Sequence, residues 1–185
     1  SVELIKSLIA RIDSLEKFVK AWVCFDNDIA LNKAKSLDSI SKSKKERNPL
    51  HGILVGIKDI FNTKEFETCM GSPIWKGFNP GNDARVVTNI KRSGGIVAGK
   101  TVTAEFAVHE PGPTLNPHNF KHIAGTSSTG SAVAVATGMA PIALGTQTAG
   151  STTRPASYNG IYGYKPSFGI IPRTGVLKTL DTLDH

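Results

Sequence analysis

Three observations predict an α/β protein. Segments with helical apolar spacing alternate with short, largely β-branched runs, turn-forming clusters separate them, and no internal repeat breaks the alternation. Leu4, Ile5, Leu8, Ile9, Ile12 and Leu15 recur at helical spacing and open the chain with an amphipathic helix. Ala21 to Phe25 suits a short strand. Asp26 to Asp28 can cap a second helix running to about Leu37. A Lys/Ser-rich loop then ends at Pro49. Gly52 to Asp59 is suited to a buried strand. Residues 62–80 are turn-rich. A helix over Ala84 to Arg92 stops at Gly94-Gly95, and Ile96 to Ala98 reads as the next strand. A proline-containing loop covers 109–125. The small residues of Ala132 to Met139 favour a tightly packed helix, Ile142 to Gly145 a strand, and Ile161 to Lys165 another.

With 185 residues, 39% of them hydrophobic and 20% charged, the chain can build one domain with a sizeable core. Residues 1–45 form a helical lead-in and 50–185 the core. No apolar run approaches the ~18 residues of a membrane span. The start, SVELIKSLIARI, lacks the unbroken apolar stretch of a signal peptide. Only two cysteines, Cys24 and Cys69, are present, which points to a reducing cytoplasm rather than a disulfide scaffold. The net charge of +7 owes much to Lys33 through Arg47, a solvated helix end and loop without aromatic interleaving or zinc-ligand spacing. Nucleic acid is therefore not the expected partner.

The chemistry lies elsewhere. Gly125-Thr-Ser-Ser-Thr-Gly-Ser131 and Gly145-Thr-Gln-Thr-Ala-Gly-Ser151 flank one short, small-residue segment. Glycine lets backbone approach a ligand, and a serine hydroxyl can attack or relay a proton. Two such loops resemble the walls of a serine-based active site. A flexible linker would not be interrupted by AVAVATGMAPIAL.

Two other motifs carry less. Gly94 to Thr101 fits the phosphate-loop pattern G-x-x-x-x-G-K-[ST], but that loop needs a strand before it and a helix after it. Here the order is reversed, and a helix end leading into a strand accounts for the glycines. His51, His109, His118, His122 and His185 show no metal-ligand spacing, and neither serine loop contains G-x-S-x-G. A Ser-His-Asp triad assembled across the fold stays open.

Lysine is the other side chain able to activate serine. Lys58 sits inside Leu54-Val-Gly-Ile-Lys-Asp-Ile60, an apolar run in which a lysine is unusual. At a strand end it would reach solvent. Buried, its pKa could fall by up to 3–5 units from about 10.4. Asp59 would oppose that fall if close, but neighbours on a strand face opposite ways.

GIKD at 56–59, GKT at 99–101, GTSSTGSAVAVA, GTQTAGSTTRPAS and GYKPSFGIIPRTGV at 163–176 together closely resemble the amidase signature family. The resemblance covers nearly the whole chain and is densest from Gly52 to Asp184. It implies a mixed β-sheet flanked by helices, incomplete in this chain, and a Ser–cis-Ser–Lys triad that hydrolyses amides without a cofactor. Matched residue by residue, Ser151 is the nucleophile, Ser127 the bridging cis-serine and Lys58 the base. The backbone N–H groups of Thr148, Ala149, Gly150 and Ser151 match the family's oxyanion hole. Arg154 resembles an arginine that holds a substrate carboxylate in some members, or it braces the loop through carbonyls. Ser128 lies beside the relay as a hydrogen-bond partner and a second candidate substrate contact, while Ser131 starts a helix.

The match has departures. Thr126 stands where the family usually has glycine before the cis-serine, and Thr129 replaces another small residue. Gln147 occupies a position that is Asp in many members, which favours small-molecule amidases over tRNA-linked ones. Members of the family are also much longer. The expected activity is hydrolysis of a small carboxamide. The alternatives are the glutaminase subunit of a tRNA-dependent amidotransferase and a silent amidase fragment. The expected partner beyond the small amide is a second copy or the missing C-terminal half, with no membrane.

Overall fold

The computed structural model describes residues 1–41, 48–108 and 110–185. The most basic stretch, 42–47, and His109 lie outside the described residues. Helix α1 spans Val2–Val19 and buries Ile5, Leu8, Ile12 and Val19, while Leu4 of the predicted stripe stays exposed. It ends at Lys20 in the left-handed conformation (φ 52°), whose N–H bonds the Glu16 carbonyl. The Glu16 carboxylate then accepts the N–H groups of Ala21 and Trp22 (3.1 and 2.9 Å), turning the chain into strand β1, Trp22–Phe25.

Asp26 caps helix α2 (Asn27–Ser41) through the Ile29 N–H at 2.7 Å, and the helix runs past the expected Leu37. Strand β2 is Val55–Lys58, helix α3 Arg85–Arg92 and strand β3 Gly99–Thr101. The strand expected at 96–98 forms three residues later, with only a bridge between Leu54 and Ile96 before it. Helix α4 spans Thr129–Ala136, strand β4 Ile142–Leu144 and helix α5 Thr153–Tyr158.

The strands form one mixed sheet in the order β1-β3-β2-β4, with β1 antiparallel to β3 and the other pairs parallel. Residues along the strand leads alternate between two cores. Leu54, Ile96 and Ala98 pack with α1, α2 and α4, whereas Val55, Ile57 and Val97 pack with α3. Helix α4 lies close against the sheet because it carries almost no side-chain bulk. A Cβ on Gly130 would stand 2.2 Å from the Ala21 carbonyl oxygen, so only glycine permits this approach.

Three expectations are corrected. Helix α4 begins three residues before Ala132 and ends at Ala136, because Gly138 (φ 70°) reverses the chain and the Met139 N–H folds back to the Ala134 carbonyl. Ser131 therefore lies within the first turn rather than starting the helix. Helix α5 adds an element that the sequence does not announce; Pro155 is tolerated there because first-turn N–H groups need no helical partner. Ile161 to Lys165 forms no strand. No described neighbour offers it a ladder, and Tyr162 and Tyr164 project into solvent. Among the described residues, no helix is long and apolar enough to cross a membrane.

Candidate active site

The strand alternation decides where Lys58 goes. At the end of β2 it points to the α4 side, wholly buried, and its Nζ donates to Ser127 Oγ and Thr146 Oγ1, each at 2.7 Å. Burial pushes its pKa down to about 7, with the charge of Asp184 partly opposing the fall. Asp59 faces the other way. Its carboxylate pairs with Lys100 Nζ at 2.9 Å, both side chains buried, and Lys100 also donates to Thr68 Oγ1 and the Glu67 carbonyl. Burial raises the Asp59 pKa and lowers that of Lys100, and each partner opposes the other's shift. Gly99-Lys-Thr101 is thus a strand whose lysine is used internally, which excludes the phosphate-loop geometry.

Ser127 is fully buried in the loop leading to α4, and the Thr126–Ser127 peptide is cis. Gly125 (φ 81°) makes the preceding turn, where a Cβ would stand 2.8 Å from Pro155 Cα. This packs the first serine loop against α5 and hence against the second. Ser128 joins the two loops. Its Oγ donates to the Thr146 carbonyl (3.1 Å) and accepts the Thr146 N–H (3.2 Å), while its N–H bonds the Ser151 carbonyl (3.1 Å). These bonds make Ser128 a clasp between loops. Ser131 Oγ likewise ties α4 to β3 and β4, through Thr101 Oγ1 and the Leu144 carbonyl, both at 2.7 Å.

Ser151 sits at the head of α5, partly exposed, and its hydroxyl makes no hydrogen bond among the described residues. The first link of the expected relay, Lys58 to Ser127, is therefore formed; the second, Ser127 to Ser151, is open. The N–H groups of Thr148, Ala149, Gly150 and Ser151 also donate to no described residue, leaving four consecutive donors beside Ser151. Arg154 is exposed and lays its guanidinium over Gly150, within about 3.2 Å of where a Cβ would stand, without bonding a described carbonyl.

Sequence reasoning missed two supporting residues. Thr146 receives the second Lys58 hydrogen bond. Gln147 holds the Ser151 turn: its Oε1 accepts from Thr152 N–H, Thr153 N–H and Thr153 Oγ1, and its Nε2 donates to the Ala149 carbonyl. Both stand inside the second Gly/Ser loop, the one signal that could have found them.

No described histidine bonds either serine, so a Ser-His-Asp triad is not assembled; His118 Nε2 instead meets the Asn159 carbonyl at 3.0 Å. Among the described residues, no group of three or more His, Cys, Asp or Glu side chains could hold a metal ion. A mostly apolar cavity of about 350 Å³ lies between β4, α4 and residues 161–185, lined by Val135, Ile142, Leu144, Tyr164, Ile171 and Leu177. Ser128, Thr146 and Thr148 of the serine loops also line it, whereas Lys58, Ser127 and Ser151 do not.

The chain belongs to the amidase family, whose model, described as Amidase, matches residues 3–185. It is 38% identical to a glutamyl-tRNA(Gln) amidotransferase subunit of Symbiobacterium thermophilum, over all of this chain and 39% of that protein. Among solved structures, the native peptide amidase of Stenotrophomonas maltophilia superposes with a TM-score of 0.93 at 34% identity, over 100% of this chain and 40% of the other. The corresponding glutamyl-tRNA(Gln) amidotransferase subunit of Thermotoga maritima superposes with a TM-score of 0.85 at 31% identity, over 100% and 39%. The chain thus spans about two fifths of the length of the relatives it matches.

Proposed function

We propose that this chain carries the nucleophile, relay and base of a serine amidase acting on a small carboxamide. The observation that carries the reading is the 2.7 Å contact between a fully buried Lys58 Nζ and Ser127 Oγ. A lysine with a pKa of about 7 is largely neutral above that pH and can accept a proton. Neutral Lys58 takes the Ser127 proton as Ser127 takes that of Ser151. Ser151 Oγ then adds to the amide carbonyl, and the new oxyanion is received by the N–H groups of the Thr148–Ser151 turn. The relay returns the proton to the leaving nitrogen, the C–N bond breaks, and ammonia or an amine departs. Water, deprotonated along the same path, cleaves the Ser151 ester to release the carboxylate. The Ser128 N–H to Ser151 carbonyl bond holds the two loops together, and the open Ser127–Ser151 link accords with catalytic bonds that tighten when substrate binds.

A second reading, the glutaminase subunit of a tRNA-dependent amidotransferase, is favoured by the identity to the Symbiobacterium protein. The closer superposition on peptide amidase than on the Thermotoga protein favours the small-amide reading. Gln147 does not decide between them on its own, since its side chain is taken up in bracing the turn. Ammonia release from glutamine, short-chain amides and peptide amides, compared with Ser151→Ala, tests the proposal. The variant should lose at least ~10³-fold of the activity. Equal release by both proteins would overturn the nucleophile assignment, and release from glutamine alone would move the substrate to the second reading.

A further inference from the structure

The last residues of the chain fold back onto the serine site. The Gln147 and His185 main chains exchange two hydrogen bonds (Gln147 N–H to His185 carbonyl 3.1 Å, the reverse 2.9 Å). Beside this pair, the nearly buried Asp184 carboxylate has both oxygens engaged. Oδ1 accepts the Thr148 hydroxyl, and Oδ2 accepts the N–H groups of Thr179 (2.6 Å) and Leu180 (2.9 Å). Thr148 is the first donor of the turn that ends at Ser151. We infer that Asp184 is a positioning residue of this site: it clamps the head of the Ser151 turn through Thr148, on the same loop as the Thr146 that bonds Lys58, and so sets a negative charge near that buried lysine.

The other charged groups around Lys58 are committed elsewhere. On β2, Asp59 turns to the far face and pairs with Lys100 of β3. Neither α4 (TGSAVAVA) nor β4 (IAL) carries a charge. On α5, Arg154 lies over Gly150. In the C-terminal segment, Lys165 meets the His185 ring and Lys178 approaches Asp181. Among the described residues, Asp184 opposes the burial-driven fall of the Lys58 pKa. One carboxylate thereby fixes both the geometry of the oxyanion donors and the pH at which the base becomes neutral. The catalytic half of this inference rests on the amidase reading; the electrostatic half does not.

Two variants separate the halves. Asp184→Asn removes the charge; its one carbonyl oxygen can still accept the Thr179 and Leu180 N–H groups, and its Nδ2 can donate to the Thr148 hydroxyl. In protein labelled with ¹³Cε-lysine, the Lys58 resonance, identified by its loss in Lys58→Met, should titrate at lower pH in Asp184→Asn, by about half a unit or more. The acidic limb of the kcat/KM profile should move in the same direction. Thr148→Val removes the clamp and keeps the charge, so kcat should fall ~10-fold or more with KM little changed and the Lys58 midpoint unmoved. An unmoved Lys58 midpoint in Asp184→Asn overturns the electrostatic role, and an unchanged kcat in Thr148→Val overturns the clamp. If no amide is hydrolysed by any form while the resonance still shifts, the amidase reading fails and the electrostatic inference stands.

Discussion

Lys58 and Asp59 are adjacent in sequence yet occupy opposite faces of the sheet, each buried and each held by partners the other never meets. Lys58 joins Ser127 and Thr146 and forms no ion pair among the described residues, while Asp59 closes one with Lys100. The pleat of one strand end separates the buried Lys58 from a carboxylate that would favour its protonated form.

Lys58 burdens stability in a pH-dependent way. Its folded pKa of about 7 lies below its unfolded value, so from about pH 7 to 10 the unfolded chain binds more protons, and the stability contribution rises with pH. Lys58→Met should therefore be more stable than the parent at pH 7, with the gap closing by on the order of 4 kcal/mol toward pH 10. Urea unfolding at both pH values checks this; a gap that widens with pH has the wrong sign.

The Asp59–Lys100 pair should behave as a buried ion pair. Asp59→Ala leaves the Lys100 ammonium without its counter-charge and should cost about 3–5 kcal/mol, whereas Asp59→Leu combined with Lys100→Met should recover most of that loss. Denaturant midpoints of the three proteins decide it. Turnover per folded molecule should change little in the double variant, since neither side chain touches the serine loops.

Gln147 binds four groups of the turn that presents Ser151. Gln147→Leu should cost about 2–3 kcal/mol of stability, through unsatisfied N–H groups, and lower kcat by ~10–100-fold as the N–H groups proposed to receive the oxyanion lose their fixed aim. Calorimetry and steady-state kinetics on the same sample separate the two effects.

Much of this is readable in the residues. The apolar spacing of α1 and α3, the cap at Asp26 and the β-branched run ending at Lys58 carry local signals strong enough to place those elements. The two Gly/Ser loops stand out because their composition fits neither a core nor a linker. Contacts set by tertiary packing are harder to see. Helix α5 is hidden by Pro155, and the role of Gln147 depends on a turn that closes only when α5 forms. Ile161 to Lys165 has strand-like composition, but a strand also needs a neighbour, and composition cannot say whether one is present. Asp184 lies far along the chain from Thr148 and carries no motif that links them.

Activation of Ser151 through Ser127 by a neutral Lys58 is the central step of the proposed reaction. Labelling by phenylmethanesulfonyl fluoride, followed across pH with peptide mapping, tests this most directly. The adduct should map to Ser151, form faster as pH rises through about 7, and slow by ~10²-fold or more in Lys58→Met. Labelling that falls on another residue, or that proceeds at the parent rate in Lys58→Met, would contradict it.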